Sequence, residues 1–212
     1  MEANKKTTPN PWLQIPWQDY ENHMQEVGQL QALSEITRES LQEYQPRSFA
    51  LLGCATGNGL EHVNPVVTSG IYAVDINPEF LTLTNQRFAP SLPDLQTRCM
   101  DVEKQKPDFS GINLMFCGLL LEYVNPEITL QNIAPTLAPG GTLIMILQQS
   151  TQDNFVSKTR YKSLESLSSI AQVTEESKIH AVCLQLNLHL HQRRILPLQN
   201  SKSFCILHYR KS

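Results

Sequence analysis

The residues best placed to do chemistry lie in Phe49-Ala50-Leu51-Leu52-Gly53-Cys54-Ala55-Thr56-Gly57-Asn58-Gly59-Leu60-Glu61, where an apolar run opens into a turn of very small residues and then a helix-compatible segment. A strand, loop and helix in that order can admit a ligand. Lacking a Cβ, Gly53, Gly57 and Gly59 let the backbone bend sharply and approach a bound molecule, while amides freed at a helix start donate to polar ligand groups. The spacing narrows the ligand. A dinucleotide fingerprint needs Gly-x-Gly-x-x-Gly, yet the register from Gly53 meets Ala55 and Asn58, and that from Gly57 ends on His62. A phosphate-gripping loop needs Gly-Lys-Ser/Thr, and this one has no lysine. A nicotinamide dinucleotide, ATP and GTP are all disfavoured.

Leu51-Leu52-Gly53-Cys54-Ala55-Thr56-Gly57 resembles the first motif of class I S-adenosylmethionine-dependent methyltransferases, an acidic residue followed by Gly-x-Gly-x-Gly after a hydrophobic strand. Leu51 stands where the acid is usual, and Ala55 replaces the middle glycine. Gly70-Ile71-Tyr72-Ala73-Val74-Asp75 is similar to the family's second strand, with a carboxylate about 20 residues past the loop, where it would accept from the vicinal hydroxyls of an adenosine ribose. Arg98-Cys99-Met100-Asp101-Val102 resembles the segment whose Asp meets the adenine amino group. Ile112 to Cys117, followed by Gly118-Leu119-Leu120-Leu121-Glu122-Tyr123, looks like the fourth strand and its leucine-rich turn, and Leu137-Ala138-Pro139-Gly140-Gly141 to Ile146 like a helix end, a Pro-Gly-Gly turn and the fifth strand. The resemblance covers roughly two thirds of the chain. It implies S-adenosylmethionine as cofactor, with contacts at Gly53, Cys54, Ala55, Thr56, Gly57, Asp75, Ile76, Asp101, Val102, Cys117 and Gly118.

The elements that must position these residues follow from periodicity. Tyr20, Met24, Val27, Leu30, Leu33, Ile36 and Leu41 recur at near-helical spacing, predicting a cover of one or two amphipathic helices over 17–44, after a polar, proline-punctuated arm over 1–16. Tyr20, His23 and Met24 would share one helix face. Aromatic faces attract cations, so a Tyr and Trp cover suits a sulfonium. Residues 148–159 read as a loop near the mouth, and Tyr161, Leu164, Leu167, Ile170 and Ala171 as one side of a helix. Leu184, Leu186, Leu188 and Leu190 alternate with polar residues, predicting a half-exposed strand whose His189 and His191 are solvated rather than metal-ligating. Ser203 to Arg210 reads as a strand buried on both faces. Joined through 197–202, these two strands resemble the antiparallel hairpin that ends the methyltransferase sheet.

The expected fold is α/β, Rossmann-like, with a seven-stranded, mostly parallel sheet, helices on both faces and a C-terminal antiparallel hairpin, all in one domain over 17–212. With 212 residues, 41% hydrophobic and 17% charged, the chain can bury one sizeable core. A net charge of -3 and the lack of a clustered basic face argue against a polynucleotide partner. Five dispersed cysteines without a Cys-x-x-Cys pair fit reduced thiols in the cytoplasm and no structural zinc. No apolar run reaches the ~20 residues of a membrane span. The resulting expectation is methyl transfer to a small-molecule acceptor, with His23, Tyr20 and Glu122 as catalytic candidates and Tyr161 as a further possible base. The alternative is a noncatalytic protein that binds S-adenosylmethionine or S-adenosylhomocysteine as a sensor or partner subunit, which the changes at Leu51 and Ala55 permit.

Overall fold

Strict period-two burial organises the molecule: in β1 (Ser48–Leu52), Phe49 and Leu51 join one core cluster while Ala50 and Leu52 join the other. The same division runs through β4 (Ile112–Gly118), β5 (Leu137–Ser150) and β7 (Lys202–Lys211). A strand buried on both faces must sit inside a sheet with layers above and below. The structure, a computed structural model, describes residues 10–150, 156–199 and 202–212, with the side chain of Ser150 excepted. With β2 (Gly70–Asp75), β3 (Leu95–Cys99) and β6 (Leu188–Pro197), seven strands pair in the order β3-β2-β1-β4-β5-β7-β6. The first five are parallel, and β7 runs antiparallel to both β5 and β6. The expected fold and terminal hairpin are present.

On one face lie α1 (Trp17–Glu26), α2 (Gln29–Tyr44) and α3 (Pro78–Phe88), and on the other α4 (Pro126–Ile133) and α5 (Glu176–Gln185). The expected cover is therefore two helices, broken at Gly28, whose φ of 74° is left-handed. Among the described residues no helix is long and apolar enough to cross a membrane.

Several local expectations are corrected. The segment after the glycine loop forms only a 3-10 turn at Leu60–His62, because Asn64-Pro65 follows at once and β2 must begin at Gly70. The helix expected around 161–171 is a 3-10 helix, Lys162–Ser169. The strand read from Leu184 starts at Leu188, since Leu184 belongs to α5 and Asn187, at φ 57°, turns the chain. Pro139-Gly140-Gly141 is an irregularity within β5 rather than a turn before it, marked by a register shift between Ile112 and Leu114 on β4. Of the arm expected over 1–16, residues 1–9 lie outside the described residues, while Pro11–Gln14 forms a packed 3-10 turn and Ile15 is 2% exposed. The loop expected at 148–159 likewise falls partly outside them, at 151–155, and its first residues extend β5.

Candidate active site

Strand order reverses between β1 and β4, and a cleft opens there at the carboxyl ends of the parallel strands, as the topology requires. Counted out to its open mouth it holds about 1090 Å³ of empty space. Gly53 and Ala55 enter from β1, Asp75 and Ile76 from β2, Asp101 and Val102 from β3, Gly118 from β4, Gln148 from β5 and Lys202 from β7. Trp12, Tyr20, His23, Met24 and Gln29 close it from the N-terminal side.

Asp75 organises the loops at the ends of β1 and β2. Its Oδ2 accepts from the Ala55 amide and its Oδ1 from the Asn77 amide, both at 2.8 Å. The carboxylate is only 9% exposed, and burial pushes its pKa up to about 6 against the pull of these backbone donors. Each oxygen keeps further acceptor capacity toward the cleft. Asn77 also caps α3 through its Oδ1, and its Nδ2 donates to the Trp12 carbonyl at 2.9 Å. The turn that holds the carboxylate thus also fastens the N-terminal strap. Trp12 meets Tyr20 and Tyr123 edge-on, at centroid separations of 6.1 and 5.1 Å.

Ala55 holds a φ of 45°, a left-handed conformation that strains any residue with a Cβ. Its carbonyl accepts from Thr84 Oγ1 at 3.1 Å and its amide donates to Asp75, so the loop is tied down at both ends of this peptide. Ala55→Gly should raise stability by about 1 kcal/mol, a Tm gain of roughly 2–4 °C at this chain length, measurable by thermal denaturation. An unchanged or lowered Tm would show the strain to be absent.

The structure gathers most of the expected cofactor contacts. Gly53, Ala55, Asp75, Ile76, Asp101, Val102 and Gly118 line the cleft, whereas Cys54, Thr56, Gly57 and Cys117 stand behind its wall. Asp101 accepts from the Glu103 amide at 3.1 Å and from Lys104 Nζ at 2.7 Å.

The catalytic candidates separate. Tyr20 lines the cleft, but burial and the neighbouring Asp75 raise its phenol far above the usual range, so it stays neutral. His23 lines the cleft with Nδ1 2.9 Å from Thr159 Oγ1, and burial, then Lys202, lowers its pKa to about 4. Tyr161 is not among the lining residues, and its hydroxyl accepts from Arg160 Nε at 3.0 Å. Glu122 does not reach the cleft: it is 0% exposed, its Oε1 accepts from the Gln148 amide at 2.7 Å, and its Oε2 has no partner among the described residues. The role expected for Glu122 is thereby corrected from catalysis to support of the Gln148 backbone.

Burial raises the Glu122 pKa from 4.5 to about 7. A folded-state pKa above the unfolded one means the folded chain binds the proton more tightly, so stability falls as pH rises from about 4.5 to 7. Glu122→Gln should remove that slope, gaining ~2–3 kcal/mol on the native chain between pH 5 and pH 8 in urea midpoints. Parallel pH profiles for the two proteins would exclude it.

Sequence reasoning passed over Trp12, Tyr123, Gln29, Gln148 and Lys202. Gln148 carried a signal, a polar residue directly after the apolar run that ends at Leu147, and so did Lys202, a cation just ahead of a nearly continuous apolar strand.

Residues 51–145 match the family model described as a methyltransferase domain. Over that stretch the chain is similar to S-adenosylmethionine-dependent methyltransferases. The solved magnesium protoporphyrin IX methyltransferase from Synechocystis PCC 6803, with bound S-adenosylhomocysteine, shares the methyltransferase fold at TM-score 0.66 and 13% identity, over 88% of this chain and 84% of that one. Geranyl diphosphate C-methyltransferase from Streptomyces coelicolor A3(2) superposes at 0.64 and 12% identity, covering 84% and 77%. An N-methyltransferase from Bradyrhizobium japonicum WM9 does so at 0.61 and 18%, covering 97% and 93%. No curated protein matches the sequence.

The cofactor of this methyltransferase family is S-adenosylmethionine, and the residues present fit it. Asp75 offers a carboxylate with spare acceptor capacity, Ile76 and Val102 offer apolar side chains, and Trp12, Tyr20 and Tyr123 bring aromatic rings to the same cleft. At Gly53 a Cβ would come within 3.3 Å of Leu120 Cδ1, narrowing the floor of that cradle.

Proposed function

We propose that this methyltransferase transfers the methyl group of S-adenosylmethionine to a small-molecule acceptor bound beside Tyr20, His23 and Gln148. The observation that supports the reading is a single cleft lined both by Asp75 and the glycine loop and by residues of the N-terminal helices, β5 and β7. A cleft closed by Trp12 and α1 suits a small acceptor better than a polymer. The cofactor supplies the electrophilic methyl group. Asp75 and the loop amides bind and orient it, Tyr20 and Trp12 exclude water, and displacement gains from holding nucleophile, methyl and sulfur in line. His23, neutral at physiological pH, can accept a hydrogen bond or proton at Nε2 when its Nδ1–H donates to Thr159. Five free thiols, four of them buried, support a setting in the reducing cytoplasm.

A specific observation favours the noncatalytic alternative. Leu51, at the position usually held by an acid, is packed in the core, and Ala55 is strained where glycine is usual. Calorimetric titration with S-adenosylmethionine, S-adenosylhomocysteine and NAD as control, followed by an acceptor screen, separates the readings. Binding of the first two with turnover of a small acceptor supports the proposal. Tight binding with no turnover across the screen supports the sensor or partner subunit, and no binding defeats both.

A further inference from the structure

Helix α1 runs along the cleft from its β2 side to its β7 side. Tyr20 packs on Phe80 at a centroid separation of 5.6 Å and feels the charge of Asp75, whereas His23, nearly one turn on, feels that of Lys202. His23 therefore stands between the two ends, with Nδ1 2.9 Å from Thr159 Oγ1. Thr159 is not among the lining residues, so the ring nitrogen left to the cleft is Nε2, which has no hydrogen-bond partner among the described residues. Thr159 Oγ1 accepts from the Tyr161 amide at 3.3 Å, and an Nδ1–H donor fills its second lone pair, which leaves Nε2 as an acceptor. Gln29 adds another: its Nε2 donates to Gln148 Oε1 at 2.5 Å, and its Oε1 remains to accept. Two acceptors in a wall of Met24, Leu33, Leu164 and Leu167, all buried, call for a ligand with a donor on an apolar body. Among the described lining residues the carboxylates are Asp75 and Asp101, at the ends of β2 and β3, so an ammonium finds no anion beside His23. Burial, then Lys202, keeps the imidazole neutral with a pKa of about 4, too weak a base for an alkanol and suited to the more acidic hydroxyl of a phenol.

We propose that the acceptor of this methyltransferase is a phenol methylated on its oxygen, its O–H donated to His23 Nε2 and its ring held against Met24, Leu33, Leu164 and Leu167. The proposal rests on the reading of the cleft as a site of methyl transfer. The phenol oxygen takes the methyl group through a lone pair, leaving the C–S electron pair on sulfur, and its proton passes to His23 Nε2. The products are a methyl ether, S-adenosylhomocysteine and an imidazolium that returns its proton to solvent, so the positive charge lost at sulfur is the one gained by the ring. Thr159 is a positioning residue: by accepting the Nδ1–H it keeps the Nε2 lone pair toward the cleft.

The experiment uses the full chain and four probes with one naphthalene body: 2-naphthol, 2-methoxynaphthalene, 2-naphthylmethylamine and 2-naphthoate. Calorimetry first measures S-adenosylhomocysteine binding, and the saturated complex is then titrated with each probe. The naphthol should bind about fivefold or more tightly than the other three, since one well-made neutral hydrogen bond is worth that much. His23→Phe and Thr159→Val should each narrow the margin and Thr159→Ser keep it, with S-adenosylhomocysteine binding by each variant as the check on folding. With S-adenosylmethionine the native chain should convert the naphthol to 2-methoxynaphthalene, at least ~100-fold faster than His23→Phe does. Equal binding of the four probes, a preference for the amine or the carboxylate, a margin that survives in His23→Phe, methylation at ring carbon, or no methyl ether at all overturns the proposal. If the native chain does not bind S-adenosylhomocysteine, the cofactor reading falls first and takes the proposal with it. Cofactor binding without selection of the hydroxyl sinks the proposal alone.

Discussion

Asp75→Ala should weaken S-adenosylmethionine binding at least ~100-fold in calorimetry, because two hydrogen bonds to a buried carboxylate, at about 1.5–3 kcal/mol each, are lost together. The same substitution orphans the amides of Ala55 and Asn77, both of which Asp75 holds at 2.8 Å, so the loop and the strap loosen with it. Asp75→Asn separates the two effects, since its amide oxygen still accepts from a backbone donor while the charge is gone. Its affinity should fall between those of the native and alanine proteins. Protonation gives an independent handle. With a pKa near 6, the carboxylate is ionised at pH 7.5 and increasingly neutral below 6, so cofactor affinity should drop as pH falls through 6, a slope that Asp75→Asn lacks. Affinity within threefold of native in Asp75→Ala would remove the ribose contact from the site.

The second large effect is on folding. Gly57→Ala should cost ~2–4 kcal/mol and lower Tm by roughly 6–12 °C for a chain of this size. Two separate penalties combine. Gly57 has a φ of 87°, outside the regions open to L residues, and a Cβ there would lie 2.7 Å from Phe88 Cε2 and 2.9 Å from Thr84 Cγ2. Both are α3 residues held by packing, and Thr84 Oγ1 is itself bonded to the Ala55 and Phe80 carbonyls, so the helix cannot simply yield. Because Gly57 is absent from the cleft lining, what remains folded should bind cofactor with near-native affinity. A Tm within 2 °C of native, measured by thermal denaturation, would contradict this geometry.

Period and spacing carried most of the architecture. Alternating burial in β1, β4, β5 and β7 was written in runs such as Phe49 to Leu52 and Phe204 to Leu207, and the carboxylate ending β2 was legible as Asp75. The errors have physical sources. Leu164, Leu167 and Ile170 are three residues apart, the period of a 3-10 helix, a spacing that over so short a run is indistinguishable from the looser 3.6-residue repeat. The alternation from Leu184 to Leu190 is chance at its start, for Ile179 and Cys183, four apart and buried, mark the helical stripe that extends through Gln185. Lys202, Gln29 and Gln148 come from three distant elements, and their convergence is a property of strand order that no local pattern contains. Glu122 lies in the turn after β4, whose Gly118, Leu119 and Leu120 line the cleft. Its side chain instead turns to the Gln148 backbone.

The bare 3-10 turn between β1 and β2 leaves the glycine loop without a crossover helix of its own, and α2 takes up that service. Gly59 lies so close to Thr37 that a Cβ would meet it at 2.8 Å, Asn58 Nδ2 donates to the Leu30 carbonyl at 3.0 Å, and Ser34 Oγ donates to Glu61 at 2.7 Å. The same helix presents Gln29 and Leu33 to the cleft. Lid and cradle are one mechanical part, so the N-terminal helices are not an exchangeable cassette: grafting them from another methyltransferase to import its acceptor would pull the buttress from under the cofactor loop. Diversification of this chain has to proceed through side chains that leave Ser34, Thr37 and the Leu30 carbonyl in place.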